Sequence, residues 1–240
     1  MPLGASRAGL MSVAGDDIPD SGLWLDDFAN DPTLSNTQIT DRKSFSDLSY
    51  QFDDPDKSEF DGPETRFDWE VNEGNPSDDW EVIDGQLIST TSDLSENQNF
   101  YSPLPETVSG DSNVNLFVEI EDGANTETDG AYNLASTNSA SFSVSLQDGY
   151  SIYIPSAGDI EIIDVGSSFN QIMFGSYPTD DDPHTIRLKI NLDTNDLELF
   201  VDGEIEDTVN DSSHTSFDFV GLGVNDGGSW GLSTNRIEVF

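Results

Sequence analysis

The stretch His184-Thr185-Ile186-Arg187-Leu188-Lys189-Ile190-Asn191-Leu192-Asp193-Thr194-Asn195-Asp196-Leu197-Glu198-Leu199-Phe200-Val201-Asp202-Gly203 decides the fold. Ile186, Leu188, Ile190 and Leu192 alternate with Thr185, Arg187, Lys189 and Asn191, and Leu197, Leu199 and Val201 repeat the period. A period of two puts every apolar side chain on one face of an extended chain. That is the pattern of an antiparallel strand buried on one side only. Asp193-Thr194-Asn195-Asp196 joins the two runs as a hairpin turn, and Asp202-Gly203 is a second tight-turn signal.

The same rule holds outward from this hairpin. Val114, Leu116, Val118 and Ile120 alternate with Asn113, Asn115, Phe117, Glu119 and Glu121. Phe142, Val144 and Leu146 alternate with serines and Gln147, Tyr150, Ile152 and Ile154 follow, and Ile237 and Val239 close the chain. Gln147-Asp148-Gly149 is another tight turn. No apolar stripe of helical spacing reaches a useful length. Short strands punctuated by turns predict an all-β protein, an antiparallel sandwich or jelly roll. The roughly 175 residues from 64 to 240 suffice for one sizeable core.

Residues 1–63 differ. They are rich in Asp, Ser, Asn, Pro and Gly, and their apolar residues stand as isolated anchors: Leu10, Met11, Ile18, Leu23, Trp24, Leu25 and Phe28. Such anchors suit docking onto a neighbouring subunit by an irregular segment, and the composition equally suits a partly disordered leader. Asp53–Pro63 reads as a linker.

The chain carries 48 Asp and Glu against 8 Lys and Arg, a net charge of −40. No Lys or Arg stands between Arg66 and Arg187. Phosphate neutralisation needs clustered cations, so nucleic acid is excluded as a partner, and docking on anionic lipid is disfavoured. A compact chain of this mass exposes roughly 10,600 Å², which puts the net charges about 16 Å apart. The screening length is about 10 Å in 0.1 M salt and about 3 Å in 1 M. The charges therefore repel in dilute salt and scarcely interact in brine. The composition predicts a protein of very high salt. Cysteine is absent, so disulfides and thiolate metal sites are excluded. No apolar run is long enough for a transmembrane helix, and Ala8–Gly15 is too short and Gly-rich for a signal-peptide core.

Three segments resemble the concanavalin A-like (laminin-G-like) jelly roll. Asp79-Trp80-Glu81-Val82-Ile83-Asp84-Gly85-Gln86-Leu87 is similar to its opening strand. The hairpin ending Leu197-Glu198-Leu199-Phe200-Val201-Asp202-Gly203 is similar to its "L-x-L-Y-V-D-G" hairpin. Val220–Val224 with Asn235–Phe240 resembles its last two strands. The resemblance spans about residues 64–240. Met1-Pro2-Leu3-Gly4-Ala5-Ser6-Arg7-Ala8-Gly9-Leu10 resembles the start of structural proteins of tailed viruses of haloarchaea. Together these imply a concanavalin A-like domain (64–240) behind an anchoring leader (1–63).

Candidate chemistry is sparse. Glu119 and Glu121 share a strand face and are the nearest approach to a glycosidase carboxylate pair, but no third acid follows at the spacing that the fold's hydrolases use. His184 and His214 are the only histidines. Their sequence neighbours name no base or metal triad, and both read as solvated loop residues. Asp180-Asp181-Asp182 and the stretch Asp122–Asp129 are the candidates for Ca2+, without EF-hand spacing; no other cofactor is implied. Arg187 and Lys189 share a polar strand face, with Glu119 or Glu198 expected opposite them. With Phe200 and Trp230, which sits in a Gly-rich loop and can stack on a sugar ring, they are the candidate glycan- or partner-binding residues.

The reading is a non-enzymatic virion structural protein, a capsid turret, spike or tail-fibre component of a halophilic archaeal virus. Leu10, Met11, Leu23, Trp24, Leu25 and Phe28 would anchor it to other virion proteins, as a homo-oligomer. The jelly roll would face outward to a host-surface glycan or partner, outside the cell in brine and without membrane insertion. The alternative is an extracellular carbohydrate-binding or glycoside-hydrolase-like protein of a halophile.

Overall fold

The computed structural model describes residues 24–27, 70–73, 80–83, 86–89, 98–110, 113–122, 130–141, 145–155, 158–178, 180, 182–224 and 232–239. They form strands β1 (Trp24–Asp27), β2 (Glu70–Glu73), β3 (Trp80–Ile83), β4 (Gln86–Ser89), β5 (Gln98–Ser109), β6 (Asn113–Asp122), β7 (Gly130–Ala135), β8 (Ala140–Ser141), β9 (Ser145–Leu146), β10 (Gly149–Ile154), β11 (Asp159–Val165), β12 (Phe169–Ser176), β13 (Pro183–Asn191), β14 (Asp196–Val201), β15 (Glu204–Asn210), β16 (Ser216–Val224) and β17 (Leu232–Val239). There is no helix among the described residues.

Two antiparallel sheets make the sandwich. The first runs β15-β14-β13-β6-β17-β4-β3, and the second β12-β11-β10-β7-β16-β5-β2. β5 and β6 lie in different sheets, as do β6 and β7, and β16 and β17. The chain thus weaves between layers as a jelly roll does. The predicted alternation sets the core. Val114, Leu116, Val118 and Ile120 of β6 face Ile152, Ile162, Leu222 and their neighbours in one cluster with Ile186, Leu188, Ile190, Leu197 and Leu199. Each is at most 1% exposed, and burying one such side chain contributes about 1.5–3 kcal/mol. Within the core Tyr132 Oη and Thr234 Oγ1 share a 2.7 Å hydrogen bond.

The turns follow the sequence signals. Asp148, Asn195 and Asp202 adopt φ of 57°, 60° and 50°, the left-handed region that Asn and Asp tolerate better than other non-glycine residues. Gly149 follows because β10 starts hard against β7. A Cβ there would strike the Leu134 carbonyl and stand 2.6 Å from Ala135 Cα.

One expectation is corrected in part: of the alternating stretch 142–146, the described Ser145 and Leu146 belong to neither large sheet. Ala140–Ser141 and Ser145–Leu146 pair only with each other, and 142–144 lie outside the described residues. The hairpin lies against the second sheet, where Leu146 is 1% exposed and a Cβ on Gly221 would come within 2.8 Å of its Cδ1. Leu146 is thus spent on the outside of a sheet. Four residues of the leader pair with the last strand. Trp24 and Leu25, expected to anchor on another subunit, belong to β1, which pairs Trp24–Asp27 with Val239–Arg236 of the last strand. Leu10, Met11, Leu23 and Phe28 lie outside the described residues.

The free edges β12 and β15 approach each other along one side. The Phe174 N–H donates to Asp207 Oδ2 at 3.1 Å and the Ser176 N–H to Glu206 Oε2 at 3.2 Å. Two acids of one sheet thereby satisfy edge donors of the other, which otherwise invite pairing with a foreign strand.

Candidate functional site

β10, β11 and β16 bring their ends together at one end of the sandwich. β11 ends and β12 begins around Gly166–Ser168, β16 begins after the loop 211–215, and β10 begins at the Asp148 turn. Between these segments lies a cleft of about 490 Å³, lined by Ser136, Asp148, Asp164, Gly166, Ser167, Ser168, Asn170, Ser213, His214, Thr215 and Ser216. Its size falls in the ~300–1,000 Å³ range of small-ligand sites. Its lining is hydroxyl, amide, carboxylate and imidazole.

The floor is built by strand register. Tyr150 and Asp164 are partners across β10 and β11, so both side chains point the same way at the sandwich end. His214 comes down on them from the loop. Its Nε2 lies 2.7 Å from Asp164 Oδ1, and its ring meets Tyr150 edge-on at 4.8 Å between centroids. Tyr150 Oη donates to Asp211 Oδ1 at 2.7 Å. Burial first, and then the Asp211 carboxylate, hold the Tyr150 phenol far above its usual range. Burial pushes the Asp211 carboxyl up, but the Ser213 N–H and the Tyr150 hydroxyl outweigh it and keep the group below its ordinary value. Two carboxylates, an imidazole and a phenol are thus fixed by one another. Gly166 forms part of the rim, and a Cβ there would meet only Asp164 Oδ1 at 3.5 Å and His214 Cε1 at 4.0 Å.

The reading of both histidines as solvated is therefore corrected. His214 is paired as above. His184, 7% exposed, sits at the other end of the sandwich, where its Nδ1 lies 2.7 Å from Asp202 Oδ2 and its Nε2 2.8 Å from Asp180 Oδ1. A neutral imidazole has one N–H and one lone pair. Two carboxylate partners require both nitrogens to carry hydrogen. Burial disfavours that cation, but the bonds to Asp202 and Asp180 outweigh it and raise its pKa. Asp202 also accepts the Thr185 N–H at 2.9 Å.

Arg187, Lys189 and Phe200 lie on the outside of the first sheet. Lys189 pairs with Glu198 at 2.9 Å. Arg187 stands between Phe117 and Phe200 in the ladder, with its Cζ 3.9 Å from the Phe200 centroid. Arg187 and Phe200 are 7% and 6% exposed, so both lie in packing. Arg236 pairs with Glu238 and lies over Phe117 at 5.4 Å. All three basic residues beyond Arg66 thus occupy one sheet face. Trp230 lies outside the described residues. The chain leaves β16 toward it at Val224, eight residues and so about 27 Å from the cleft. Glu119 stands opposite Thr185 and Arg236 and accepts from Asn235 Nδ2 at 3.5 Å.

For calcium, Asp180 is taken up by His184 and by the Asp182 N–H. Among the described residues no group of three or more His, Asp or Glu is placed to hold a metal, and Asp181 and residues 123–129 lie outside them. No described helix is long and apolar enough to cross a membrane.

No protein-family model matches this sequence, and no curated protein does. Solved structures do match its fold. The carbohydrate recognition domain of Emp46p, in its potassium-bound form, is 15% identical over 78% of this chain and 94% of that one, with a TM-score of 0.52. The exoplasmic/lumenal domain of VIP36, bound to Ca2+ and Man3GlcNAc, is 8% identical over 72% and 84%, also at 0.52. The Emp47p carbohydrate recognition domain is 14% identical over 72% and 87%, at 0.50. At these identities the likeness is one of fold. The chain is a concanavalin A-like antiparallel sandwich.

Proposed function

We propose that this chain is a non-enzymatic carbohydrate-binding module that works in brine, with the end cleft as its binding site. The observation that carries the reading is the cleft itself, whose hydroxyls, Asn170 amide, Asp148 and Asp164 carboxylates and His214 imidazole suit a polyol rather than an apolar ligand. Its place at the loop end of a sandwich, shared in fold with carbohydrate recognition domains, supports it. Glycan binding measured by titration calorimetry in molar KCl tests it. Gly166→Met fills the cleft from its rim, where no backbone stands in the way, and abolishes binding while leaving the melting temperature in place. A Gly166→Met protein that binds as the wild type does overturns the assignment.

The wider setting we propose is the particle of a haloarchaeal virus, with the leader toward the capsid or tail and the sandwich outward. The leader's opening residues and the charge distribution support this reading. Residues 67–240 hold 34 of the acids and only three of the bases. Absence of the chain from purified virions overturns it and leaves a secreted glycan-binding protein.

A further inference from the structure

We infer that the cleft ranks sugars by charge: one bearing a free protonated amine binds above its neutral counterpart, and an anionic one, uronic, sialylated or sulfated, is turned away. This rests on the cleft being the sugar site and names its ligand class. Among its lining residues are two carboxylates and no Lys or Arg. Asp164 is committed to His214. Asp148 is not: its backbone oxygen accepts from the Ser136 N–H and Oγ at 3.0 and 3.1 Å, while its carboxylate accepts no hydrogen bond among the described residues. A third acid, Asp211, stands behind Tyr150 and is held ionised.

Among the described residues no Lys or Arg lies in the cleft to offset them. Arg187, Lys189 and Arg236 lie on the outer face of the opposite sheet, where Lys189 pairs with Glu198 and Arg236 with Glu238. A ligand carboxylate or sulfate in the cleft would stand among Asp148 and Asp164 with no described Lys or Arg to pair against. Molar salt screens charges several ångströms apart but not a pair in contact. A protonated amine reverses the sign. It gives Asp148 a charge-assisted partner that a neutral hydroxyl replaces less well.

The test is a set of matched methyl glycosides in the gluco, manno and galacto series, each as hexose, free-amine hexosamine and hexuronate, titrated against the full chain in 2 M KCl at pH 7. In any series that binds, the hexuronate is at least tenfold weaker than the hexose and the hexosamine is tighter than the hexose; a hexosamine no tighter than its hexose overturns the ranking. A hexuronate that binds as well as its hexose overturns the ranking while leaving the sugar site in place. No binding in any series overturns the sugar reading and this inference with it. Asp148→Asn separates charge from shape, because Asn also tolerates the φ of 57° at that turn. It should lower the hexosamine-to-hexuronate affinity ratio about tenfold. An unchanged ratio means that Asp148 does not read the charge, and the inference falls.

Discussion

Replacing His184 by Gln tests whether a buried imidazolium ties two turns of the sandwich together. His184 donates to Asp202 in the β14–β15 turn and to Asp180 in the segment before β13. Hydrogen bonds to charged groups contribute about 1.5–3 kcal/mol each when sheltered. Both acids are well exposed, with side chains 43% and 63% accessible, so solvent screening reduces the pair strongly. Gln keeps one donor. A net loss of about 2 kcal/mol follows, which for a chain of this size lowers the melting temperature by roughly 4–8 °C. The pH dependence has a defined sign. The His184 pKa is raised above its ordinary 6.5, so its contribution is complete below about pH 6.5 and fades as pH rises through the higher folded value. Asp180 is shifted below its ordinary 3.8, chiefly by its bond from His184. Its share is present above that value and is lost as pH falls further. The wild-type advantage over His184→Gln should hold steady between about pH 4 and 6.5 and shrink on the alkaline side. Melting both proteins by circular dichroism in 3 M KCl from pH 4 to 10 reads the difference directly, because every other titrating group cancels. Equal melting temperatures at pH 5.5, or a gap that widens toward pH 10, refute the double-bonded imidazolium.

Other outcomes follow from the same structure. Dialysis from 3 M to 0.1 M KCl should lower the melting temperature sharply, since the −40 charge then repels unscreened; an unchanged melt contradicts the charge argument. Gly149→Ala drives a methyl into the β7 backbone and should cost about 3 kcal/mol by denaturant titration, the upper end for overpacking because backbone cannot yield as a side chain does; a cost below about 1 kcal/mol refutes the contact. Removing Glu206 and Asp207 together, both to Ala, uncovers two edge donors beside Phe174 and Ile205, which are 50% and 56% exposed. Light scattering should then show self-association that the wild type lacks, and a strictly unchanged mass rules out an edge-guarding role. Chelation with EDTA should leave cleft binding unchanged, and its loss would instead point to a cation held by residues such as Asp181 or those between Asp122 and Asp129.

The fold was legible because its signals are local. Leu197, Leu199 and Val201 declare a half-buried strand from five residues, and Asp202-Gly203 declares the turn from two. The site was hidden because its parts meet only through register. His214 reaches Asp164 across 50 residues, and nothing in Ser212-Ser213-His214-Thr215 names that partner. The composition made this worse. With 48 acids, an aspartate near a histidine carries no information until a distance is attached. Leu146 misled for a related reason, since alternation reports one apolar face and not which surface receives it. The expected pairing of Lys189 with Glu198 held, because cross-strand neighbours follow directly from hairpin length. Arg187 found Phe200 by the same rule, a partner that charge-matching alone would not have chosen.

The carboxylates that guard the β12 edge bear on any attempt to refit this protein for dilute buffer. The obvious route is to exchange surface acids for lysine until the net charge approaches zero. Glu206, Asp207, Asp202 and Asp211 resist that exchange, because each accepts hydrogen from a backbone amide that a lysine ammonium would leave bare. The acidity thus has two populations. One is a coat that sets the salt requirement and is freely exchangeable; the other is carpentry, and a desalted variant survives only if the designer tells them apart.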